Sequence, residues 1–250
     1  MPHYDFRTTR LFVDAPLAAG SEISLDREQA NYLLNVLRLG RGDALLLFNG
    51  RDGEWRATLA SVGKRSVSAT VETRTRPQAQ TGNLDLLFAP LKHARLDYLV
   101  QKAVEMGASR LQPMITRHTQ VTRINLDRMR ANAVEAAEQC GVLAVPDVAA
   151  PMRFDEVIRD DGRLLVFCDE DAEVKDPVAA LAATRFPSGS PLAVLVGPEG
   201  GFAPEERAAL LKRPKVIRIA LGPRILRADT AAVAALTLVQ AVLGDWHGSA

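Results

Sequence analysis

The segment LVGPEGGFAPEE, residues 195–206, carries a loop with three glycines between an apolar run and the start of a helix. The overlapping run PLAVLV, residues 191–196, is apolar throughout, which is typical of a strand buried on both faces of a sheet. Pro204 and two glutamates follow in the order favoured in the first turn of a helix. Glycines in the loop allow positive φ and close approach of the backbone to a flat ligand. The segment therefore predicts a strand–loop–helix unit that can border a ligand, although an ordinary connection would look similar.

A second segment of the same kind, LGPRILRADT, covers residues 221–230. It follows the β-branched run KVIRIAL, residues 215–221, and precedes an alanine-rich apolar stretch that predicts a helix with Asp229 as its N-cap. The Gly-Pro dipeptide predicts a rigid turn at the end of the strand. Arg224 and Arg227 lie in this otherwise apolar loop, where they either serve a ligand or only cover the surface.

The same alternation of strands and helices extends over most of the chain after residue 83. Predicted strands cover residues 84–90, 110–116, 145–149, 163–168, 191–196 and 215–221. Predicted helices cover residues 94–106, with Gly107 as the stop, and 126–140, 176–183 and 204–212. This order predicts an α/β fold with a largely parallel sheet covered by helices on both faces. Ligands bind at the carboxyl ends of such strands, where both glycine-containing loops are placed.

The first 75 residues are predicted to be β-rich with one helix. DREQANYLLNVLR, residues 26–38, predicts that helix, because Asp26 and Gln29 have the spacing of a capping box. Strands are predicted over residues 43–50, 54–62 and 66–74. Short strands joined by tight turns are typical of a small barrel or sandwich.

The polar, aperiodic segment RTRPQAQTGN, residues 74–83, is the predicted boundary between two domains, 1–75 and 76–250. The net charge of +1 hides an uneven distribution, since residues 90–130 have eight Lys and Arg against three Asp and Glu. A basic segment in a near-neutral chain can bind a polyanion. The acidic run DEDAE, residues 169–173, is expected to face solvent.

Several classes of site and location are not expected. The longest apolar run, residues 231–243, is too short to span a bilayer, and the N-terminus has no signal-peptide core, which indicates a soluble cytoplasmic protein. The four histidines, His3, His93, His118 and His247, lack metal-ligand spacing, so no metal site is predicted. Cys140 and Cys168 are expected to be buried and reduced. The thirteen aromatic residues are few for a base-stacking platform, so an RNA partner would be recognised through its backbone and shape.

Taken together, LVGPEGGFAPEE and LGPRILRADTAAVAAL closely resemble the paired signature of the RsmE family, the ribosomal RNA small-subunit methyltransferases E of the SPOUT superfamily. TTRLFVDAP, VLRLGRGDALLLFNG, LDYLVQKAVEMG and AVEAAEQCG resemble the same family in the same order, so the resemblance spans nearly the whole chain. It implies an N-terminal PUA-like β-barrel that binds RNA and a C-terminal α/β domain with a trefoil knot at about residues 163–250. It also implies a homodimer through the C-terminal domain, S-adenosylmethionine as cofactor, and methylation of N3 of one uridine in bacterial 16S ribosomal RNA.

The resemblance also implies roles for individual residues. Arg227 would be catalytic by stabilising negative charge on the uracil, and Glu199 is the candidate base. Residues implied to bind the cofactor are Leu195, Val196, Gly197, Gly201, Leu221, Gly222, Ile225 and Leu226. Candidate RNA contacts are Arg7, Arg10, Arg38, Arg41, Lys92, Arg117, Arg123 and Arg224, the last undecided between phosphate and solvent.

Two departures from the family pattern are visible. Val142 and Ala144 stand where the family often has arginines, and Asp229 stands where it commonly has glutamate. A nucleotide-utilising α/β enzyme stays an alternative, opposed by the missing dinucleotide fingerprint and the acidic start of the helix at Pro204. A non-catalytic RNA-binding or ribosome-assembly factor on the same fold is the other alternative. The assembled small subunit is favoured over free RNA as substrate because aromatic residues are few.

Overall fold

The structure is a computed structural model of the chain, and it describes residues 5, 7–63, 66–80, 82–121, 123–159, 162–187 and 189–246. The chain divides into two compact units, residues 1–80 with 137–145 and residues 81–136 with 146–250. Within the described ranges, no helix has the length and apolar character needed to cross a membrane.

The first unit is built on a five-stranded sheet. Its strands are β1 (Arg10–Phe12), β2 (Glu22–Leu25), β3 (Ala44–Phe48), β4 (Glu54–Val62) and β5 (Val67–Arg76). They are ordered β1-β3-β4-β5-β2, with β1 parallel to β3 and every other pair antiparallel. The three strands expected from the sequence are confirmed as β3, β4 and β5.

The prediction of a helix over residues 26–38 is confirmed at its N-terminus and wrong at its C-terminus. Helix α1 (Arg27–Asn31) is capped by Asp26, whose carboxylate accepts the Gln29 amide N–H at 2.8 Å while the Gln29 side chain accepts the Asp26 N–H at 3.1 Å. A π-helix, Tyr32–Val36, replaces the expected α-helical continuation. Within this π-helix Leu33 is fully buried in the apolar core, with neighbouring apolar side chains packed around it.

A buried ion cluster ties β1, β4 and β5 together. The Glu54 carboxylate, 4% exposed, accepts from Arg10 Nε at 2.9 Å, from Arg76 Nη2 at 2.6 Å and from the Thr75 hydroxyl at 2.8 Å. Burial alone would raise the pKa of Glu54, but these hydrogen bonds outweigh it and hold that pKa below its usual value. Arg10 is equally buried, so the expectation that it contacts RNA is corrected, because its guanidinium is held in the protein interior.

The second unit is built on a parallel sheet of seven strands. They are β6 (Leu84–Phe88), β7 (Arg110–Ile115), β8 (Asp147–Val148), β9 (Met152–Arg153), β10 (Leu164–Cys168), β11 (Leu192–Val196) and β12 (Val216–Ile219). The order is β12-β10-β11-β6-β7-β8, with β9 paired to β7, and every pair is parallel. All five residues of β11 are buried, so this strand is covered on both faces. The predicted parallel sheet is confirmed.

Six helices complete the described chain. They are α2 (His93–Glu105), α3 (Leu126–Cys140), α4 (Phe154–Val157), α5 (Pro177–Ala182), α6 (Pro204–Lys212) and α7 (Ala228–Val242). Gly107 stops α2 as expected, with φ at 78° and its N–H bonded to the Val104 carbonyl at 2.9 Å. Cys140 is exposed at the end of α3, contrary to expectation, whereas Cys168 is partly buried.

Asp229 is not the N-cap of α7. Arg227 holds that position, because its carbonyl already accepts the first helical hydrogen bond, from the Ala231 N–H at 2.8 Å. Asp229 lies in the first turn and accepts the adjacent Thr230 N–H at 2.9 Å. Its carboxylate therefore interacts with the positive end of the helix dipole without capping it.

Candidate functional site

The carboxyl ends of three neighbouring strands, β10, β11 and β12, border a pocket of about 650 Å³. Its walls are residues 167–171 at the end of β10, residues 196–202 at the end of β11 and most of residues 219–228 at the end of β12, with Arg95, Arg207 and Ala231. Small-molecule sites commonly have volumes of roughly 300–1,000 Å³. The sheet order therefore brings both glycine-containing loops to one site of suitable size, at the edge where parallel sheets bind ligands.

The loop after β11 is shaped by its glycines. A Cβ on Gly197 would lie 2.6 Å from the ring of Phe202, which packs edge-on against Phe167 at 5.4 Å between ring centroids. Gly201 has φ at 70°, and its N–H bonds to the Pro198 carbonyl at 2.9 Å. A side chain at either position would disturb the turn or the aromatic packing beneath it.

The helix after this loop is a poor phosphate site. Glu206 in the first turn of α6 accepts the Ala203 N–H at 3.0 Å, and also the Arg117 N–H at 2.8 Å. Glu205 forms an ion pair with the Arg117 side chain. Carboxylates thus occupy the positive end of the helix dipole, which opposes binding of a nucleotide phosphate there.

The loop after β12 presents two cations to the pocket. Gly222 has φ at 90° and open space where a Cβ would point. Arg224 and Arg227 are exposed and line the pocket, and within the described ranges neither side chain forms an ion pair or a hydrogen bond. Ile225 between them is 97% exposed. The loop therefore offers its cationic and apolar groups to a ligand.

Seven of the eight residues expected to bind a cofactor line this pocket, namely Val196, Gly197, Gly201, Leu221, Gly222, Ile225 and Leu226. Leu195 does not, and this expectation is corrected. Its side chain is fully buried in the apolar core, and its strand is paired on both sides, to β10 and to β6. Neighbouring side chains of a strand point to opposite faces, and of this pair only Val196 lines the pocket.

Glu199 lies on the pocket wall and is held by a residue that the sequence did not indicate. Its carboxylate accepts from Arg95 Nη1 at 2.8 Å, and the side chain remains 47% exposed. Arg95 comes from the first turn of α2, over a hundred residues away in the chain. Nothing local marks this partnership, because the contact exists only once β6 and β11 are adjacent.

The sequence also missed Asp169, which was expected to face solvent within its acidic run. Asp169 lines the pocket but is only 4% exposed, and its carboxylate is bound by Arg207 and Arg218. The one available signal was its place directly after a strand end. Beside it, burial and the Asp169 charge raise the pKa of Cys168 to about 12, so this thiol is not a thiolate nucleophile.

The remaining basic candidates lie on both units. Arg7, Arg38 and Arg41 are exposed in the first unit, and Arg38 has φ at 57°. In the second unit Lys92 and Arg123 are exposed, while Arg117 is neutralised by Glu205. No cluster of His, Cys, Asp or Glu suited to a metal ion occurs among the described residues, which do not include His3 and His247.

Comparison with known proteins identifies both parts of the chain. Residues 77–240 match the RNA methyltransferase domain family, and residues 25–72 match the RNA methyltransferase PUA domain family. The ribosomal RNA small subunit methyltransferase E of Rickettsia conorii is 30% identical over 92% of this chain and 94% of its own.

Solved structures agree with this match. The Neisseria gonorrhoeae ribosomal RNA small subunit methyltransferase E bound to S-adenosylmethionine superposes with a TM-score of 0.82 at 26% identity, covering 94% of this chain and 98% of that one. A Legionella pneumophila protein, also solved with bound S-adenosylmethionine, gives a TM-score of 0.81 at 27% identity over 94% and 98% of the two chains. With its PUA domain, its parallel α/β domain and these relatives, the chain belongs to the ribosomal RNA small subunit methyltransferase E family.

Proposed function

We propose that this protein transfers a methyl group from S-adenosylmethionine to N3 of one uridine in bacterial 16S ribosomal RNA. The observation that carries the proposal is the pocket at the carboxyl ends of β10, β11 and β12, where both signature loops meet. Two relatives that match nearly the full chain were solved with S-adenosylmethionine bound.

The residues of the pocket fit this cofactor. Its volume of about 650 Å³ lies in the range for small-molecule sites. Gly201 and Gly222 leave open space beside their backbones, which lets a ligand approach the main chain closely. Apolar side chains at Val196, Leu221 and Leu226 supply surface for a flat purine ring, and neighbouring backbone amides supply hydrogen bonds.

S-adenosylmethionine supplies a methyl group activated by its sulfonium sulfur. The protein must then bind the uridine and accept the proton that leaves its N3. Arg227 is an exposed cation on the pocket wall with no partner within the described ranges, so it is available to hold the uracil oxygens while negative charge develops. Preorganised groups of this kind contribute roughly 10²–10³-fold each.

Glu199 is the proposed acceptor of the N3 proton. It faces the same pocket as Arg227, and Arg95 fixes one carboxylate oxygen at 2.8 Å. A side chain fixed in this way loses little conformational freedom when substrate binds. General bases contribute about 10²–10⁴-fold.

RNA is proposed to contact exposed basic residues of both units, namely Arg7, Arg38, Arg41, Lys92, Arg117, Arg123 and Arg224. The proposed substrate is the assembled small subunit. Arg10 is left out because it is buried with Glu54. Equal methylation of naked 16S RNA and assembled subunits would contradict the preference for the particle.

The family resemblance supports three further proposals about organisation. Residues 1–75 and 76–250 form the two domains. Limited proteolysis that cleaves the chain elsewhere before it cleaves within residues 74–83 would contradict this boundary. Residues 163–250 contain a trefoil knot, which a crystal structure would test by tracing the chain. The protein acts in the cytoplasm, where cell fractionation should find it with ribosomal particles.

A homodimer through the C-terminal domain is also proposed. Large apolar side chains of the second unit are exposed, among them Val178 at 47%, Ile225 at 97% and Trp246 at 52%. Exposed apolar surface of this kind favours association between copies. A monomer in sedimentation equilibrium at micromolar concentration would contradict the proposal.

The decisive experiment is mass spectrometry of 16S RNA nucleosides from cells with and without the gene. Loss of N3-methyluridine on deletion, restored by the wild-type gene, is the expected result. Restoration by a variant that cannot bind S-adenosylmethionine would instead indicate an assembly factor that acts through another enzyme. Unchanged N3-methyluridine on deletion would refute the proposed function.

A further inference from the structure

One carboxylate connects the three walls of the pocket. Asp169 follows β10, Arg207 lies on α6 beyond the loop after β11, and Arg218 lies on β12 just before the third loop. The Asp169 Oδ2 atom accepts from Arg207 Nη2 at 3.0 Å and from Arg218 Nε at 2.8 Å. Arg207 and Arg218 are 38 and 49 residues away from Asp169 in the chain, so this contact links segments that are far apart in the sequence.

The same contacts fix the segment after β10. Asp169 Oδ1 accepts the Asp171 N–H at 3.1 Å, and Arg218 Nη2 donates to the Asp171 carbonyl at 2.6 Å. Arg207 Nη2 lies 3.8 Å from the Asp171 carboxylate. The wall made by residues 169–171 is therefore held to both α6 and β12.

Two guanidinium groups bind the Asp169 carboxylate and favour its ionised form. The Asp169 side chain is 3% exposed, and those of Arg207 and Arg218 are 31% and 23% exposed. Burial would raise the pKa of Asp169, but the hydrogen bonds from Arg207 and Arg218 outweigh burial and lower it. A buried carboxylate bound by two guanidinium groups has little freedom to reorient.

We propose that Asp169 is a positioning residue that holds the three loops of the pocket in their cofactor-binding arrangement before the cofactor arrives. When the loops are already ordered, binding of the ligand does not carry the entropy cost of ordering them, and the affinity is higher. The proposal rests on the proposed function only for the identity of the ligand. Arg218 is the sharper probe, because it supports Asp169 without lining the pocket itself.

The second unit contains a matched control. Asp85 near the start of β6 is paired with Arg163, which precedes β10, and their side chains are 15% and 23% exposed. This pair joins strands of the same sheet but lies at their amino ends, away from the pocket. Burial raises the pKa of Asp85 and outweighs the lowering effect of Arg163, so here, unlike at Asp169, the ion pair does not overcome the cost of burying the carboxylate.

The test compares the wild-type full chain with Asp169→Asn, Arg218→Gln and Asp85→Asn. Calorimetry with S-adenosylhomocysteine should show affinity weakened roughly tenfold or more in Asp169→Asn, as expected when a site is slightly misplaced, and less in Arg218→Gln. Asp85→Asn removes no contact at the pocket, so affinity should stay within about twofold of wild type whatever the change in melting temperature. Asp169→Glu, which restores the charge, should recover part of the affinity.

Hydrogen exchange of the unliganded proteins gives a second readout that does not depend on the cofactor. Asp169→Asn and Arg218→Gln should exchange faster than wild type in residues 197–201 and 222–227, whereas Asp85→Asn should not. Wild-type affinity and exchange in both cluster variants would overturn the proposal, as would equal loss of affinity in Asp85→Asn. Failure of the wild type to bind S-adenosylhomocysteine would count against the proposed function, and exchange would still decide the role of Asp169.

Discussion

Replacing Arg227 by alanine should abolish most of the catalytic rate without affecting the fold. Arg227 is exposed, and its side chain forms no ion pair or hydrogen bond within the described part of the chain. Surface substitutions that remove no contact usually change the free energy of unfolding by less than about 0.5 kcal/mol. Loss of a group that stabilises developing charge should lower kcat by roughly 10²–10³, equivalent to about 2.7–4 kcal/mol in the activation free energy.

Arg224 supplies the matched control, since it lies three residues away on the same loop and is equally exposed and unpartnered within the described ranges. Arg224→Ala should leave kcat within about threefold and raise the KM for the small subunit, as expected for a phosphate contact. Arg227→Lys should lie between wild type and Arg227→Ala, because lysine keeps the charge but loses the planar fork.

The assay is steady-state methyl transfer to small subunits that lack N3-methyluridine, over a range of subunit concentrations at saturating S-adenosylmethionine. Melting temperature and affinity for S-adenosylhomocysteine are measured on the same preparations. A kcat within twofold of wild type in Arg227→Ala would refute the catalytic assignment. A large drop in melting temperature would also refute the reasoning, because it would mean that Arg227 has a structural role.

Three other outcomes are expected. Glu54→Gln should cost about 3–5 kcal/mol in the free energy of unfolding at pH 7, since it removes the buried negative charge that Arg10 and Arg76 both bind. Because the folded-state pKa of Glu54 is lowered, the stabilising contribution of its carboxylate is present above the unfolded-state pKa of about 4.3 and is lost as pH falls through the folded-state pKa. Urea unfolding should therefore show the variant approaching wild type in acid, and a pH-independent difference would contradict this. Gly197→Ala should weaken S-adenosylhomocysteine binding, since the new methyl group would displace the Phe202 ring, and unchanged affinity in titration calorimetry would show that the loop relaxes without effect on the pocket. Affinity for the small subunit should fall steeply with salt, and a flat dependence in filter binding would exclude phosphate contacts as its main source.

Much of the second unit could be predicted because the signals are local. Apolar runs of six or seven residues separated by helical periodicity indicate parallel strands, and the runs at residues 163–168, 191–196 and 215–221 all contain strands. Glycines at 197, 201 and 222 indicated loops with special backbone geometry, and two of these three have positive φ. Capping chemistry also acts within a few residues, so Asp26 was correctly placed at the start of α1.

Errors arose where a residue's environment depends on distant parts of the chain. Arg10 was expected on the surface, but in the folded unit its guanidinium is buried against the Glu54 carboxylate. Leu195 and Val196 were both expected to bind the cofactor, but the Leu195 side chain lies in the apolar core and only Val196 lines the pocket. Tyr32–Val36 has helical periodicity, but a pattern of apolar residues over five positions does not distinguish a π-helix from an α-helix.

The sequence by itself determined the elements and the family: the order of strands and helices, the two loops at strand ends, and the motifs that relate the chain to its relatives. These features depend on backbone sterics and periodicity, which act over a few residues. Only the tertiary structure decided which loops meet, because the order β12-β10-β11 makes neighbours of strands separated by helices. It also decided that Asp169, in an acidic run that looked solvent-facing, is buried between Arg207 and Arg218, because burial of a charge depends on partners that only folding brings within reach.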